Sequence, residues 1–378
     1  MKNLKKINWL NTLFLTITPV VAIVGTVLLC VYSAVSWKTW LFTGIMVAVS
    51  GLSITAGYHR LFSHATYKAA WPVRLFFAFF GAGCFQGSAL EWCTDHRNHH
   101  LYTDTDKDPY SIKKGFWYAH IGWLFVLDQS KRDFSNVEEL AKDPILKVQH
   151  NFYTLIATIV GFGFPMLIAS FWGEMWAGLI LAGALRATIS HHVTFCINSI
   201  CHMFGRRTYS TKQSARDNWF TALVTYGEGY HNFHHQFPLD YRNGIRVFDY
   251  DPTKWIINLL SYCGLATNLK QVSKEKIIKY RVMNDHNDIV KKVTDYSDSL
   301  LQQVSVAVKP VRERIMQLIQ NIEELEKNYR ALKKEKMDGC REQLNEYRQS
   351  IKNSRRELQR ILGVWKHLVR CNQKLLLA

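Results

Sequence analysis

The chain has 378 residues, 48% of them hydrophobic, and a formal net charge of +17. Its apolar residues concentrate in long blocks before residue 270 and its C-terminal part is polar, which excludes a single compact soluble domain. The charge does not indicate a nucleic-acid-binding protein, because the basic residues lie beside apolar runs and lack aromatic RNA-binding signatures. We expect a membrane surface as the partner. The eight cysteines form no CxxC pair, which predicts free thiols in a reducing, cytosol-facing protein.

Four apolar runs are long enough to cross a bilayer as helices, since a crossing needs about 20 residues. The runs are 10–34, 40–56, 152–172 and 176–196. No small-residue cleavage site follows the first run, so we expect a retained membrane helix and not a signal peptide.

The distribution of basic residues between these runs predicts their orientation. The runs pair as two hairpins whose short linkers hold only Lys38, whereas residues 57–150 between the hairpins hold eleven Lys or Arg. The positive-inside rule then places both termini and the central segment in the cytosol. A fifth apolar run, 73–90, would put histidines on opposite faces of the membrane if it crossed. We therefore expect it to be interfacial or re-entrant.

Nine of the fifteen histidines form tight groups near the ends of the predicted spans. Three groups have the sequences HRLFSH (59–64), HRNHH (96–100) and HNFHH (231–235), and a ninth histidine follows an asparagine by four residues at the end of the fourth run. Positions i, i+3 and i+4 share a helix face, so each HxxHH sequence is expected to direct three imidazoles into one volume. The candidate ligands are His59, His64, His96, His99, His100, His202, His231, His234 and His235, with Asn198 as a candidate water-holding amide.

Nine imidazoles exceed the coordination sphere of one ion, so two metals are expected. None of the groups contains a cysteine, which argues against structural zinc and favours a redox-active di-iron centre. The remaining histidines are interpreted differently. His191 and His192 lie within the fourth run, where one of them is a candidate for a role behind the ligands. Packing or surface roles are expected for His120, His150, His286 and His367.

Longer sequence motifs around these histidines resemble those of a known family. GYHRLFSH (57–64), EWCTDHRNHH (91–100) and GEGYHNFHHQFP (227–238), with DKDP (106–109) and ARDN (215–218), are similar to the membrane acyl-CoA desaturases of the stearoyl-CoA Δ9 type. The resemblance covers residues 8–265.

The resemblance implies a role for each candidate residue. It implies one iron ligated by His59, His64, His96, His100 and His234. It implies a second ligated by His99, His202, His231 and His235, and by Asn198 through water. The bend of an acyl tunnel is expected at Gln86, Trp92 and Thr194.

Two positions depart from the family's pattern. A tryptophan of the family is Phe195 here, and an arginine that helps to hold coenzyme A in animal members is Thr94. Acyl-CoA is the expected substrate, with acyl-lipid and acyl carrier protein substrates left open. The expected reaction is formation of a cis double bond at Δ9 in fatty acid biosynthesis.

No flavin, nicotinamide, iron-sulfur or haem motif is found in the sequence, so an external donor such as ferredoxin, or cytochrome b5 with its reductase, is expected. Two alternatives remain. One is a di-iron fatty-acid or lipid hydroxylase of the same superfamily, and the other is a membrane-anchored coiled-coil scaffold with a degenerate histidine site.

The C-terminal part has its own pattern. Apolar residues recur at alternating spacings of three and four over 315–332 and again over 344–368, which predicts an antiparallel hairpin of helices 311–337 and 341–374. Pro310 is expected to open the first helix and Gly339 to close it. The stripes also allow self-association. The expected fold is an all-α integral membrane domain (1–270), four transmembrane helices with a cytosolic helical cap for the di-iron site, followed by a helical, coiled-coil-like extension (271–378).

Overall fold

The computed structural model describes residues 6–126, 133–294, 298–334 and 340–375, which are mostly helical. The chain divides into two compact units. The membrane unit consists of Met1–Arg207 and Lys212–Gln271. The tail unit consists of Thr208–Thr211 and Val272–Ala378.

Within the described residues, four helices are long and apolar enough to cross a bilayer. The first has 24 residues and reaches about 36 Å at ~1.5 Å per residue, more than the ~30 Å of a hydrocarbon core. Only Thr18 and Ala22 are buried in it, as expected for a helix with lipid on most sides. These helices identify an integral membrane protein. The four spans are Trp9–Tyr32, Trp37–Ser63, Tyr153–Ser170 and Met175–Met203.

The second and fourth spans are longer than the apolar runs that predict them. The second continues past residue 56 through a π-helical stretch, Ser53–Ser63, in which every residue is buried. The backbone N–H of His64 donates to the carbonyl of His59 at 3.1 Å, the i→i−5 spacing of this wider helix. Such widened turns are frequent at functional sites because they re-aim side chains. The fourth span likewise continues to Met203 and carries His202.

The fifth apolar run is divided between two helices. Trp71–Ala82 has 12 residues, about 18 Å in length, which is too short to cross a bilayer. A new helix, Ala89–Tyr102, begins after a capping box formed by Ser88 and Glu91. The first of these helices packs closely on the π-helical stretch, since a Cβ on Gly57 would lie 2.5 Å from the Phe77 Cβ. An interfacial or re-entrant position remains a prediction.

Shorter elements complete the membrane unit. Two two-residue strands, Lys68–Ala69 and Ala266–Thr267, pair antiparallel with Lys68 opposite Thr267. The α-helices are Phe116–His120, Glu138–Ala141, Pro144–Asn151, Trp219–Val224, His231–Gln236 and Pro252–Tyr262. Single 3₁₀ turns are Ile112–Lys114, Gly122–Phe125 and Ser135–Val137.

A buried arginine in the fourth span links several elements, and nothing in the sequence patterns singles it out. Arg186 donates to the carbonyls of Ala182 at 2.9 Å, Gly83 at 2.9 Å and Gly161 at 3.0 Å, and to the Ser50 hydroxyl at 3.1 Å. A charged side chain inside a span is costly unless it is fully hydrogen-bonded. Arg186 therefore joins the second, third and fourth spans to the turn after Trp71–Ala82.

Three helices, Lys274–Thr294, Asp298–Lys334 and Arg341–Leu375, form the tail unit. The expected helix start at Pro310 is wrong, because the second helix begins at Asp298 and passes through the proline. Apolar packing continues before Pro310, so the helix persists despite the missing N–H. Gly339 lies outside the described residues. The buried core consists of Val282, Ile289, Val293, Val304, Val308, Ile315, Leu318, Ile319, Ile322, Leu358 and Trp365.

Candidate metal centre

The nine predicted histidines converge in the membrane unit as two groups, each with ligand atoms within 4.8 Å of one another. The first group is His59, His64, His96, His100 and His234. The second group is His99, His202, His231 and His235. This division coincides with the partition that the family resemblance implies.

The Nε2 atoms of the first group face one another at close range. His64 and His96 are 2.8 Å apart at Nε2, and His59 and His234 are 3.0 Å apart. His100 lies 2.9 Å from His234. The rings come from the second span, the Ala89–Tyr102 helix and the His231–Gln236 helix. Three separate segments of the chain therefore supply one volume.

The second group has the same arrangement. The Nε2 of His231 lies 3.1 Å from that of His202 and 3.0 Å from that of His235. His99 lies 3.3 Å from His235. His202 reaches this group from the end of the fourth span.

The expectation that each HxxHH sequence serves one volume is wrong. His96 and His100 belong to the first group, whereas His99 belongs to the second. At 3.6 residues per turn, positions i+3 and i+4 lie on either side of position i, about 100° apart around the helix. The HNFHH sequence (231–235) divides in the opposite sense, its middle histidine joining the first group. Each short helix thus bridges the two groups.

In four of these histidines the other ring nitrogen, Nδ1, contacts an acceptor oxygen. This contact fixes the tautomer of the ring. The Nδ1 of His59 lies 2.8 Å from the Glu228 carboxylate, and the Nδ1–H of His99 donates to Asp108 at 2.9 Å. A carboxylate only accepts, so the proton resides on Nδ1 and the lone pair on Nε2. Both Nε2 lone pairs therefore point into the groups.

The other two fixed rings belong to the second group. The Ser214 hydroxyl donates to Asp104 at 2.5 Å and accepts from the Nδ1–H of His202 at 2.7 Å. The Nδ1–H of His235 donates to the Gln213 carbonyl oxygen at 3.1 Å. The Nε2 lone pairs therefore lie about 3 Å from one another with no hydrogen-bond donor between them. Such an arrangement is suited to a bound cation.

Behind the first group lies a buried network of charges. Arg60 donates to Glu228 at 2.8 Å and to Asp251 at 3.0 Å, and Asn243 donates to the second Glu228 oxygen at 2.7 Å. Burial by itself raises the pKa of Glu228, but the charge of Arg60 and the hydrogen bonds from His59 and Arg60 outweigh it and hold that pKa below the usual value. Glu228 is therefore a carboxylate that orients His59.

Burial also keeps six of these imidazoles neutral. It lowers their pKa values well below the ordinary value of 6.5, and neighbouring rings lower them further. Neutral imidazole is the form that binds metal. The rings with lowered pKa values are His64, His96, His100, His231, His234 and His235.

The partners of the ring Nδ1 atoms were not identified from the sequence. Asp108 and Glu228 stand within the words DKDP and GEGYHNFHHQFP, and Ser214 directly precedes ARDN. Carboxylates close to the histidine motifs indicate candidate partners, because a ligating histidine commonly donates its other N–H to an oxygen. The pairing itself is not readable, since Glu228 is 169 positions from His59.

A cavity of about 1210 Å³ opens beside the two groups. His59, His96, His99 and His231 line it, together with Asn198. Its size exceeds the ~300–1,000 Å³ of ordinary small-molecule pockets. Apolar lining comes from the first two spans and the turn after Trp71–Ala82, including Phe14, Leu15, Val47, Ile54 and Phe85.

The three predicted tunnel residues line this cavity as a hydrogen-bonded chain. The Trp92 indole N–H donates to the Gln86 carbonyl oxygen at 3.2 Å, and the Gln86 amide donates to the Thr194 hydroxyl at 3.0 Å. Phe195 also lines the cavity, whereas Thr94 is buried with 2% exposure and is not on its wall.

The other six histidines stand outside both groups, and each contacts a polar neighbour. His191 lies 2.8 Å from the Cys84 carbonyl, so its partner is backbone. His192 lies 3.1 Å from His120, which lies 3.0 Å from the Ser199 hydroxyl. The remaining contacts are His150 with Ser88, His286 with Arg312, and His367 with Cys371.

Known proteins match the part of the chain that contains the two histidine groups. The family model described as Fatty acid desaturase covers residues 35–258. "Probable acyl-CoA desaturase" of Schizosaccharomyces pombe is 46% identical over 277 residues, 73% of this chain and 57% of the relative. "Acyl-CoA desaturase 1" of Saccharomyces cerevisiae is 42% identical over 76% of this chain and 56% of the relative. The match thus spans little more than half of these fungal relatives. "Stearoyl-CoA desaturase 5" of Bos taurus is 37% identical over 71% of this chain and 81% of the relative.

Proposed function

Because the chain belongs to the fatty acid desaturase family, we propose that it introduces a cis double bond, at the Δ9 position, into a saturated acyl chain carried as acyl-CoA. One observation carries this proposal: two groups of converging imidazoles border one large, mostly apolar cavity. The names of the fungal and bovine relatives support acyl-CoA as the substrate. The hydroxylase alternative would use the same site and leave oxygen in the product.

Each histidine group would hold one iron. The fit rests on the donor set, which is all imidazole, and on the four rings whose Nδ1 protons direct their Nε2 lone pairs into the groups. Asn198 lines the cavity wall and would hold a water beside the second group. When bound, the irons would supply the oxidant that, with O2, two external electrons and two protons, removes two hydrogens from adjacent methylenes and releases two waters.

The protein's own residues would position the substrate. The apolar wall excludes water and gains about 0.8 kcal/mol for each methylene that it buries. The chain of Trp92, Gln86 and Thr194 gives the wall a fixed shape beside the histidines, which selects the carbons presented to them. Lys107 and Lys114 also line the cavity and carry charge suited to the phosphates of coenzyme A. They would bind coenzyme A in place of the family's arginine, which is Thr94 in this chain.

The topology and partners belong to the same proposal. Both termini and the histidine site would face the cytosol, where the segment rich in Lys and Arg between the hairpins meets an external donor, ferredoxin or cytochrome b5. The histidine helices would form the cytosolic cap of the membrane domain (1–270). Residues 271–378 would form a helical appendage outside the catalyst, capable of self-association.

The decisive test is product analysis in a host that lacks its own desaturase. Cells expressing the full chain should accumulate fatty acids with a cis double bond between C9 and C10, detected by mass spectrometry of derivatised lipids. Cells expressing His99→Ala should accumulate none, since that change removes a ring of the second group. Mainly hydroxylated chains from the unaltered protein would establish the hydroxylase alternative instead.

A further inference from the structure

The tail unit contains a basic groove that the proposed function does not use. The groove has a volume of about 520 Å³ and lies between the helices Asp298–Lys334 and Arg341–Leu375. Five cations line it against a single carboxylate, that of Glu326. The cations are Arg330, Arg348, Lys352, Arg355 and Arg356.

Three of these cations repel one another along one helix. Arg348, Lys352 and Arg356 follow at intervals of four residues, so their side chains share a face about 5–6 Å apart. Like charges at this spacing destabilise a helix. Among the described residues, no ion pair neutralises Lys352 or Arg356, and both are exposed. An anion in the groove would relieve this repulsion.

Neighbouring contacts hold the groove in shape. Arg355 pairs with Glu275 at 2.9 Å and with Glu326 at 2.7 Å, and Glu326 also pairs with Arg330 at 2.7 Å. Arg348 donates to the Tyr329 hydroxyl at 2.9 Å, and its guanidinium lies 5.5 Å from the centre of that ring. These contacts fix three of the five cations of the groove before any ligand arrives.

We propose that this groove binds a multiply phosphorylated anion, either a soluble polyphosphate or the headgroup of a phosphorylated lipid. Guanidinium groups match phosphate oxygens in a planar, bidentate manner, and Lys adds a compact charge. The groove is concave and has the volume of a small-ligand site, which favours a compact anion over an extended acidic peptide. The proposal does not depend on desaturase activity.

The test uses the full chain in nanodiscs of phosphatidylcholine, a neutral lipid. Isothermal titration with inositol hexakisphosphate probes a soluble polyphosphate, and titration with dioctanoyl phosphatidylinositol 4,5-bisphosphate probes a lipid headgroup. The Lys352→Gln/Arg356→Gln double variant removes two groove charges. The matched control, Arg360→Gln/Lys366→Gln, removes two exposed charges of the same helix outside the groove.

At least one probe should bind saturably, and the groove variant should bind about tenfold or more weakly, since charge-assisted hydrogen bonds to phosphate are lost. The control variant should bind within about twofold of the unaltered chain. Binding of only the soluble probe or only the lipid identifies the source of the phosphates. Equal weakening in both variants, or no saturable binding of either probe, would overturn the proposal. All four substituted residues are exposed, so circular dichroism should be unchanged.

Discussion

The Nδ1 atom of His59 and a carboxylate oxygen of Glu228 lie 2.8 Å apart, with both side chains at most 6% exposed. Arg60 pairs with the other oxygen of the same carboxylate at 2.8 Å. A carboxylate in this position fixes the ring orientation and makes Nε2 a stronger ligand. Arg60, which follows His59 in the sequence, thus positions the Glu228 carboxylate that orients the His59 ring.

Replacing this carboxylate should weaken metal binding without changing the shape of the site. Glu228→Gln should lower iron affinity about 10- to 100-fold, because outer partners of ligating histidines commonly contribute that much. Iron per chain, measured by mass spectrometry across a chelator series, reports the change. Glu139→Gln is the control, since that carboxylate is 61% exposed and pairs with Arg97. Equal iron retention in the two variants would contradict the role of Glu228.

The two histidine groups predict two irons per chain. Unaltered protein should contain close to two irons and little zinc, because all nine ligands are imidazoles. His96→Ala and His99→Ala each remove one ring from a different group, so each should lower the iron content and abolish turnover. His367→Ala, in the tail unit, should retain both. Stoichiometric zinc in active protein, or full activity of His99→Ala, would refute the assignment.

The hydrogen-bonded chain on the cavity wall predicts an effect on the product. Thr194→Val removes the acceptor for the Gln86 amide, at a cost of about 1 kcal/mol, and should lower the rate several-fold or shift the double-bond position. Thr188→Val is the matched control, since Thr188 lies in the same span and, among the described residues, its hydroxyl bonds only to the Ala184 carbonyl. Product distributions measured by mass spectrometry should differ between these two variants.

Metal-free protein should lose stability as the pH falls below about 6.5. The six rings with lowered pKa values stay neutral in the folded state, whereas in the unfolded chain they take up protons near the ordinary value of 6.5. Acid therefore favours the unfolded chain, and the stability is fully present above that pH. Thermal unfolding midpoints from pH 8 to 5 measure this. An unfolding midpoint that stays constant or rises as the pH falls would contradict the conclusion that these rings are neutral in the folded protein.

Removal of Val272–Ala378, the C-terminal part of the tail unit, should leave the catalyst intact. Both histidine groups and the large cavity consist of residues before 272. Truncation after Gln271 should therefore retain iron and desaturase activity in detergent, while the oligomer mass or the response to a partner changes. The full chain purified in parallel is the reference. Loss of iron from the truncated protein would show that the tail is integral to the catalytic body.

Some features follow from sequence because they depend on local composition. The four spans are visible since each needs about 20 consecutive apolar residues, whatever packs against them. The nine histidines are visible because ligand type and short spacing survive in any folded context. The family resemblance adds their partition and the tunnel residues Gln86, Trp92 and Thr194.

Other features were decided only by tertiary structure. Helix periodicity predicts that the three rings of each HxxHH sequence lie together, but His99 and His234 each join the group that the other two rings of their sequence do not. Packing of Val304 and Val308 in the tail core carried a helix through Pro310 against its local preference. Pairs such as His59 with Glu228 join distant parts of the chain, and no local pattern encodes them. The physical reason is that composition and spacing act within a few residues, whereas charge pairing and packing depend on which segments the fold brings together.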